Sequence, residues 1–340
     1  MIYLFLALAL ALWLMGRAMN VPRAARMLMI ALLYAGFSAL AVVTEGTENA
    51  REWLAVGIAA ALVWVYSRAL GRLRTRTRAE PQPQITPKDS SVELDRNARH
   101  IVLREIGGPG QKRLKNARVL VVGAGGLGSP ALQYLAAAGI GTIGIIDHDV
   151  VDNSNLQRQV IHTDARIGMP KVFSAEQAIQ AQNPFVAVRP YNRALTADIA
   201  PGLFDDYDLI LDGTDDPDTR YLVNETAVRA KLPLISAAIS QWEGQISIFD
   251  PSRDAPCYAC VFPKAAAPGL APSCAEGGVL GPLPGVLGTM MAVEAVKLLA
   301  GAGQPLLGRM LIYDALYAET RAITVNRRAD CAVCGNASLA

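Results

Sequence analysis

Hydrophobic positions follow two rhythms along this chain. Residues 2–15, 27–43 and 53–66 are apolar runs separated by short polar links; farther on, apolar residues come in strand-length blocks, 118–122, 142–146 and 207–211, each closed by glycine or aspartate. The long runs are short for a hydrocarbon core of about 30 Å, which takes roughly 17 to 25 helical residues. Flanking Arg17, Arg26 and Arg68 can snorkel across the difference, and Trp53, Trp64 and Tyr66 suit an interface. Charge then sets orientation. Arg17, Arg23 and Arg26 lie between the first two runs, Glu45, Glu48 and Glu52 dominate between the second and third, and Arg68, Arg72, Arg74, Arg76 and Arg78 follow the third. The pattern predicts three transmembrane helices in residues 1–70, an outside N-terminus, and a multi-pass protein of the inner (cytoplasmic) membrane whose catalytic part faces the cytoplasm. A cleaved signal peptide at the first run ranks lower, since the run lacks a basic n-region and its arginines come after it. A helical appendage packed on a soluble domain is the other alternative.

Residues 79–91, rich in proline and polar side chains, read as a flexible tether within a basic and Pro-rich linker over 71–92. The shorter blocks predict alternating strands and helices. A strand over 118–122 runs into Gly123-Ala-Gly-Gly-Leu-Gly128 and then a helix over 129–138, the order in which such a loop cradles a nucleotide phosphate. Gly123, Gly125, Gly126 and Gly128 let backbone N–H groups reach phosphate oxygens at a helix N-terminus. The second strand ends at Asp147, nineteen residues past Gly128, where a carboxylate can take ribose hydroxyls. To this point an NAD-dependent oxidoreductase fits equally well.

Basic residues tip the balance. Asn155-Leu-Gln-Arg158-Gln and Gly168-Met-Pro-Lys171 follow, with Pro170 in the first turn of a helix running to about residue 182. Lys171 at a positive helix end is unfavourable unless an anion lies beside it. A triphosphate losing pyrophosphate needs several such cations, a dinucleotide few. The strand over 207–211 leads into Asp212-Gly-Thr-Asp215-Asp216-Pro-Asp218, beyond the carboxyl end of a strand, where carboxylates can hold Mg2+ against phosphates. Asp218 is read as complementing the next helix and Asp215 as the metal ligand.

Composition sharpens this. Hydrophobic residues make up 52% of the chain, with the excess at the front; residues 1–80 hold nine Arg, no Lys and four Glu, a balance of +5, so the total of +2 leaves −3 for the rest. A mildly acidic soluble part argues against nucleic acid as a partner. Four of the five cysteines form two C-x-x-C pairs, Cys257/Cys260 and Cys331/Cys334, roughly 70 residues apart. That spacing suits one structural zinc site closed by the fold and leaves Cys274 as a spare thiol.

With these residues assembled, residues 95–340 resemble the MoeB/ThiF/HesA family of adenylyltransferases, relatives of the ubiquitin-activating enzymes, and within it the molybdopterin-synthase adenylyltransferases. The matching stretches are the glycine loop, residues 155–159, Thr214-Asp215, Glu243-Gly-Gln245, Cys257-Tyr-Ala-Cys260, residues 273–282 and Cys331-Ala-Val-Cys334-Gly. The resemblance implies an α/β fold with a Rossmann-like mixed β-sheet of the ubiquitin-activating-enzyme type over residues 93–340. It implies ATP-dependent adenylation of the C-terminal Gly-Gly carboxylate of a ubiquitin-like sulfur-carrier protein, with release of pyrophosphate, in molybdopterin or thiamine sulfur transfer. It also implies Asp147 on the ribose, Asn155, Arg158 and Lys171 on the phosphates, Asp215 on Mg2+, and a homodimer in which Arg99 reaches the partner's ATP. Two positions depart from the family pattern. The segment around Arg99 lacks the family's tyrosine and glutamine, and Asp216 stands where asparagine is usual. A carboxylate nucleophile needs no general base, in keeping with only three histidines, His100, His148 and His162. Cys274 follows a Pro- and Ala-rich segment over 262–273 that could thread over the carrier's tail, with the thiol either taking the acyl group or exchanging sulfur, or serving as an inert cysteine. The sulfur donor is expected to be a separate protein. A tRNA-modifying dehydratase relative is the alternative within this fold, disfavoured by the acidic soluble part.

Overall fold

The apolar runs at the start of the chain fold as two helices, α1 (Ile2–Ala18) and α2 (Arg23–Glu45), which pack on each other. The computed structural model describes residues 2–45 apart from Asn20 and Pro22, the single positions Trp53, Gly57 and Tyr66, and residues 90–264 and 277–335. Aromatic residues join the two helices: Phe5 lies 5.6 Å from the ring of Trp53, which is 4% exposed, and Tyr34 and Phe37 complete the cluster. Outward, Leu4, Leu10, Leu28 and Leu32 are all exposed. The third apolar run lies outside the described residues apart from Trp53, Gly57 and Tyr66. Three membrane-crossing helices are therefore not what the described residues hold. Of this pair, only α2 contains a long apolar span, Ala25–Thr44 with mean hydropathy 2.2; α1 has 17 residues, about 25 Å of helix.

The chain divides into two compact units, Met1–Gln84 and Ile85–Ala340. The second opens with α3 (Ser90–Arg96), α4 (Ala98–Ile101) and α5 (Gly107–Asn116), then runs β1 (Arg118–Val122), α6 (Gly128–Ala137), β2 (Thr142–Asp147), α7 (Lys171–Gln182), β3 (Ala187–Asn192), α8 (Ala200–Phe204), β4 (Leu209–Asp212), α9 (Pro217–Ala230), β5 (Leu234–Ile239), β6 (Glu243–Phe249), α10 (Tyr258–Val261), α11 (Pro282–Ala300), β7 (Arg309–Asp314) and β8 (Glu319–Thr324). The strands form one mixed sheet in the order β3-β2-β1-β4-β5-β6-β7-β8. The first five are parallel and the last three antiparallel.

Strand periodicity sorts the core into two layers. Val119, Val121, Ile143, Ile145, Leu209 and Leu211 point to one face, under α6, α7 and α11, while Leu120, Val122, Ile146 and Ile210 point to the other, under α8 and α9. Both faces are covered, which is why these strands read as unbroken apolar blocks. Helix α11 is apolar enough to cross a membrane, yet half of it is buried against α6, β5 and β6 as a core helix. The strand expected over 207–211 begins at Leu209: Tyr207 instead inserts its ring beside Gly144, where a Cβ would come within 2.1 Å of its hydroxyl, and that hydroxyl bonds Tyr191 at 2.9 Å.

Candidate functional site

Chain order reverses direction in the sheet at β1, flanked by β2 and β4, the point where open α/β sheets leave a crevice beyond the carboxyl ends of their strands. Three loops meet there. After β1 the chain turns at Gly123, φ +91°, a conformation that glycine adopts without strain. A Cβ on Gly128 would lie 2.0 Å from the Gly123 carbonyl oxygen. On Gly126 it would lie 3.1 Å from Pro284 and 3.7 Å from Cδ of Arg158, so the arginine's stem rests on the loop. Helix α6 starts without a side-chain cap, and the N–H groups of Gly125, Gly126 and Leu127 have no hydrogen-bond partner among the described residues. Such open donors at a positive helix end are a seat for phosphate.

The loop after β2 supplies the second wall. Asp147 accepts the Ala124 N–H on one carboxylate oxygen and the Asp149 N–H on the other, each at 2.8 Å, which fixes it between the glycine loop and the chain beyond. Arg158 donates to the Asn155 side-chain oxygen at 2.8 Å and to the Ser154 carbonyl at 3.3 Å, so the two expected phosphate ligands form one unit. Pro170 is the cap of α7 rather than a residue of its first turn, and Lys171 is the first helical residue. Its side chain is 6% exposed, and its ammonium lies 2.7 Å from the Asp149 carboxylate. The anion required by a lysine in that place is thus supplied by the protein itself. Asp149 was not among the residues expected from the sequence; its i, i+2 spacing from Asp147 was the available hint, but the pairing spans 22 residues and only the fold reveals it.

Beyond β4 the aspartates separate by role. Asp212 is fully buried and accepts hydrogen bonds from Thr214 N–H at 3.0 Å, Thr214 Oγ1 at 2.7 Å and Ser236 Oγ at 2.7 Å, with Arg220 Nε ion-paired at 3.2 Å. It braces the loop and has no room for a metal. Asp216 caps α9, accepting the N–H and hydroxyl of Thr219 at 2.8 and 2.6 Å, and the hydroxyl first, then the N–H, hold its pKa below the usual carboxylate range. Asp218 lies in the first turn. Asp215 is exposed and makes no hydrogen bond or ion pair among the described residues, which leaves it as the free carboxylate of this loop. The loop touches the first: a Cβ on Gly213 would meet the Gly128 nitrogen at 3.1 Å.

Beneath the glycine loop, His162 is buried between the Ser174 hydroxyl and the Ala124 carbonyl, both at 2.9 Å. Its Nε2–H donates to that carbonyl and Nδ1 accepts from the serine. Burial pushes its pKa down, keeping the ring neutral. Exposed His148 lies 3.5 Å from Asp149, and His100 bonds Gln111 at 3.3 Å, so none of the three histidines forms a catalytic triad.

The paired cysteines converge as expected. Sγ atoms of Cys257 and Cys260 lie 3.8 Å apart, Cys257 and Cys331 3.6 Å, and Cys260 and Cys334 3.4 Å, all four buried. A tetrahedron with Zn–S bonds of about 2.3 Å has edges of about 3.8 Å, so the donor set fits one four-coordinate soft cation. The Arg328 N–H donates to Cys260 Sγ at 3.4 Å, the kind of outer contact that orients a ligand. Burial raises the pKa of Cys257, whereas at Cys331 burial is outweighed by the N–H groups of Cys334 and Val333 and by neighbouring thiols, bringing it to about 7. Cys274 lies outside the described residues. Arg99 is exposed on α4 and makes no hydrogen bond or ion pair among the described residues.

The structure thus brings together Gly123, Gly125, Gly126, Gly128, Asp147, Asn155, Arg158, Lys171 and Asp215, and separately the four cysteines. The sequence pattern of the ThiF family matches residues 97–333. A protein of Thermus thermophilus called "Sulfur carrier protein adenylyltransferase" is 49% identical over 248 residues, covering 72% of this chain and 92% of that one. The "Probable adenylyltransferase/sulfurtransferase MoeZ" of Mycobacterium tuberculosis is 52% identical over 243 residues, covering 70% of this chain but 62% of the relative's own length. The crystal structure of E. coli MccB with ATP has a TM-score of 0.60 at 24% identity, over 67% of this chain and 70% of that one, a likeness of fold.

Proposed function

The chain belongs to the ThiF family, and from that premise we propose that it is an ATP-dependent adenylyltransferase acting on a ubiquitin-like sulfur-carrier protein. The observation that carries this reading is the convergence, at one sheet crevice, of open helix N–H donors, the Asp147 carboxylate, Arg158 with Asn155, a buried Lys171 and a free Asp215. Names of the relatives support the substrate class.

A carrier's terminal Gly-Gly carboxylate, ionised at neutral pH, attacks the α-phosphorus of ATP. One acyl O–P bond forms, the α–β phosphoanhydride bond breaks, and pyrophosphate leaves. Asp147 fixes the ribose, the glycine loop and α6 seat the phosphates, and Arg158 and Lys171 face the charge that develops on the leaving group. Mg2+, held by Asp215 and phosphate oxygens, would neutralise the same charge. The four cysteines would hold Zn2+ in a structural role, tying α10 to the segment after β8.

Arg99, exposed and unpaired in the single chain among the described residues, suits a contact to a second copy, so the enzyme is read as a homodimer. The apolar, outward-facing surfaces of α1 and α2 support attachment to a membrane, with the catalytic unit on the arginine-rich cytoplasmic side. Molybdopterin or thiamine sulfur transfer is the pathway class that such a carrier serves, and Cys274 is the candidate thiol for any acyl or sulfur exchange. The test is ATP–pyrophosphate exchange by the purified full chain with Gly-Gly-terminated carriers of both classes. Exchange that depends on the carrier and on Mg2+ is expected; its absence with every carrier would overturn the proposal.

A further inference from the structure

We propose that Asp149 is a positioning residue for Lys171, setting the aim of that ammonium in the adenylation reaction proposed above, on which this inference rests. Lys171 opens α7, where the helix dipole opposes a cation, and its side chain is 6% exposed, so desolvation opposes the charge as well. A lysine ammonium so placed is held in one direction only beside an anion. Among the described residues the one carboxylate within ion-pair distance is Asp149, at 2.7 Å.

Asp149 is itself held from both sides. Its N–H donates to Asp147 at 2.8 Å and its carbonyl accepts the Lys171 N–H at 2.9 Å. A bridge between Val150 and Pro170 and the Val151 N–H bond to the Met169 carbonyl at 2.8 Å keep the two segments side by side. Through this residue the ribose-facing Asp147 and the phosphate-facing Lys171 are kept in fixed register, with the glycine loop joined to the same carboxylate of Asp147. The Asp149 side chain is 53% exposed, so it contributes little to the core and its replacement by an isostere leaves packing intact. Other charged or titratable groups near Lys171 are Asp152 and His162, neither of them paired with it, and His148, which lies 3.5 Å from the second Asp149 oxygen. None replaces Asp149 as a counter-ion.

The experiment compares wild type, Asp149→Asn and Asp149→Glu as full chains in carrier-dependent ATP–pyrophosphate exchange, with active sites counted by binding of a non-hydrolysable ATP analogue and folding followed by thermal melting. Asp149→Asn is expected to melt with the wild type and to keep KM for ATP within about threefold. Its kcat per active site should fall about 10- to 100-fold, the scale of a misplaced catalytic group. Asp149→Glu should restore most of the rate. A kcat per active site within about twofold of wild type, whatever the melting point, would overturn the proposal. Wild type that neither binds the analogue nor exchanges would instead remove the adenylation reading itself, and this inference with it.

Discussion

At the scale of single residues, electrostatics decides most of the site. Arg158 and Lys171 are separated by 13 positions in sequence, yet both border the crevice, Arg158 half-buried and Lys171 buried against Asp149. Lys171→Ala and Arg158→Ala are each expected to lower exchange kcat by about 100- to 1,000-fold, the usual effect of removing one preorganised donor facing developing charge; circular dichroism and melting should stay close to wild type. His162 carries a different prediction. Unfolded chain takes up a proton on it near the ordinary value of about 6.5, whereas burial lets the folded ring do so only at lower pH. Between those two values the unfolded state binds more protons, so this contribution to stability is complete above about pH 6.5 and is lost as pH falls toward the folded value. His162→Gln should therefore flatten the acid side of the Tm–pH curve, and an equally steep curve would reject the assignment. The positions of Arg158, Lys171 and Asp215 at the crevice were legible in the sequence because each follows closely on a strand end or opens a helix. Asp149, Asp212, Arg220 and His162 were not, because each matters through a partner brought in by the fold: Ser174 and Ala124 around His162, Thr214 and Asp212 around Arg220.

Elements show the reverse: most of them were written in local pattern. Apolar blocks closed by Gly123 and Asp147 gave β1 and β2 at their observed bounds, and the glycine loop fell between β1 and α6 as expected. The start of α7 was shifted by one residue because Pro170, with ψ 134°, is extended and caps the helix. Sheet order beyond β5 was beyond the sequence pattern, since β7 and β8 are joined to β6 by a long-range pairing that spans α11. Two tests belong here. Gly128→Ala forces a Cβ to within 2.0 Å of the Gly123 oxygen and should cost about 1–3 kcal/mol, the range for overpacking, while weakening ATP binding; denaturant unfolding and nucleotide titration check both. For the cysteine cluster, one Zn2+ per chain is expected in reduced protein, lost in Cys334→Ser together with thermal stability and retained in Cys274→Ser, as read by elemental analysis and melting. Zinc content unchanged in Cys334→Ser would refute the tetrahedral site.

For the whole molecule the question is what the first 84 residues do. The two units differ in every physical respect that bears on solvent. Residues 1–80 carry +5 against −3 for the rest, and Leu4, Leu10, Leu28 and Leu32 of α1 and α2 are exposed where the second unit turns its apolar side chains into two packed layers. The Thermus relative is covered over 92% of its length by 72% of this chain, and the family pattern starts at residue 97, so the adenylating machinery is accounted for without the first unit. An outward apolar surface of this kind is stable in lipid and unstable in water. Full-length protein should therefore stay with membranes through an alkaline carbonate wash, whereas residues 85–340 should be soluble and keep carrier-dependent exchange within about twofold, since every crevice residue named above lies in the second unit. Release of the full chain by carbonate would reject the membrane reading. If the shortened chain folds, binds ATP and yet fails to exchange, the first unit must instead complete the catalytic site, and a role as mere tether would be excluded.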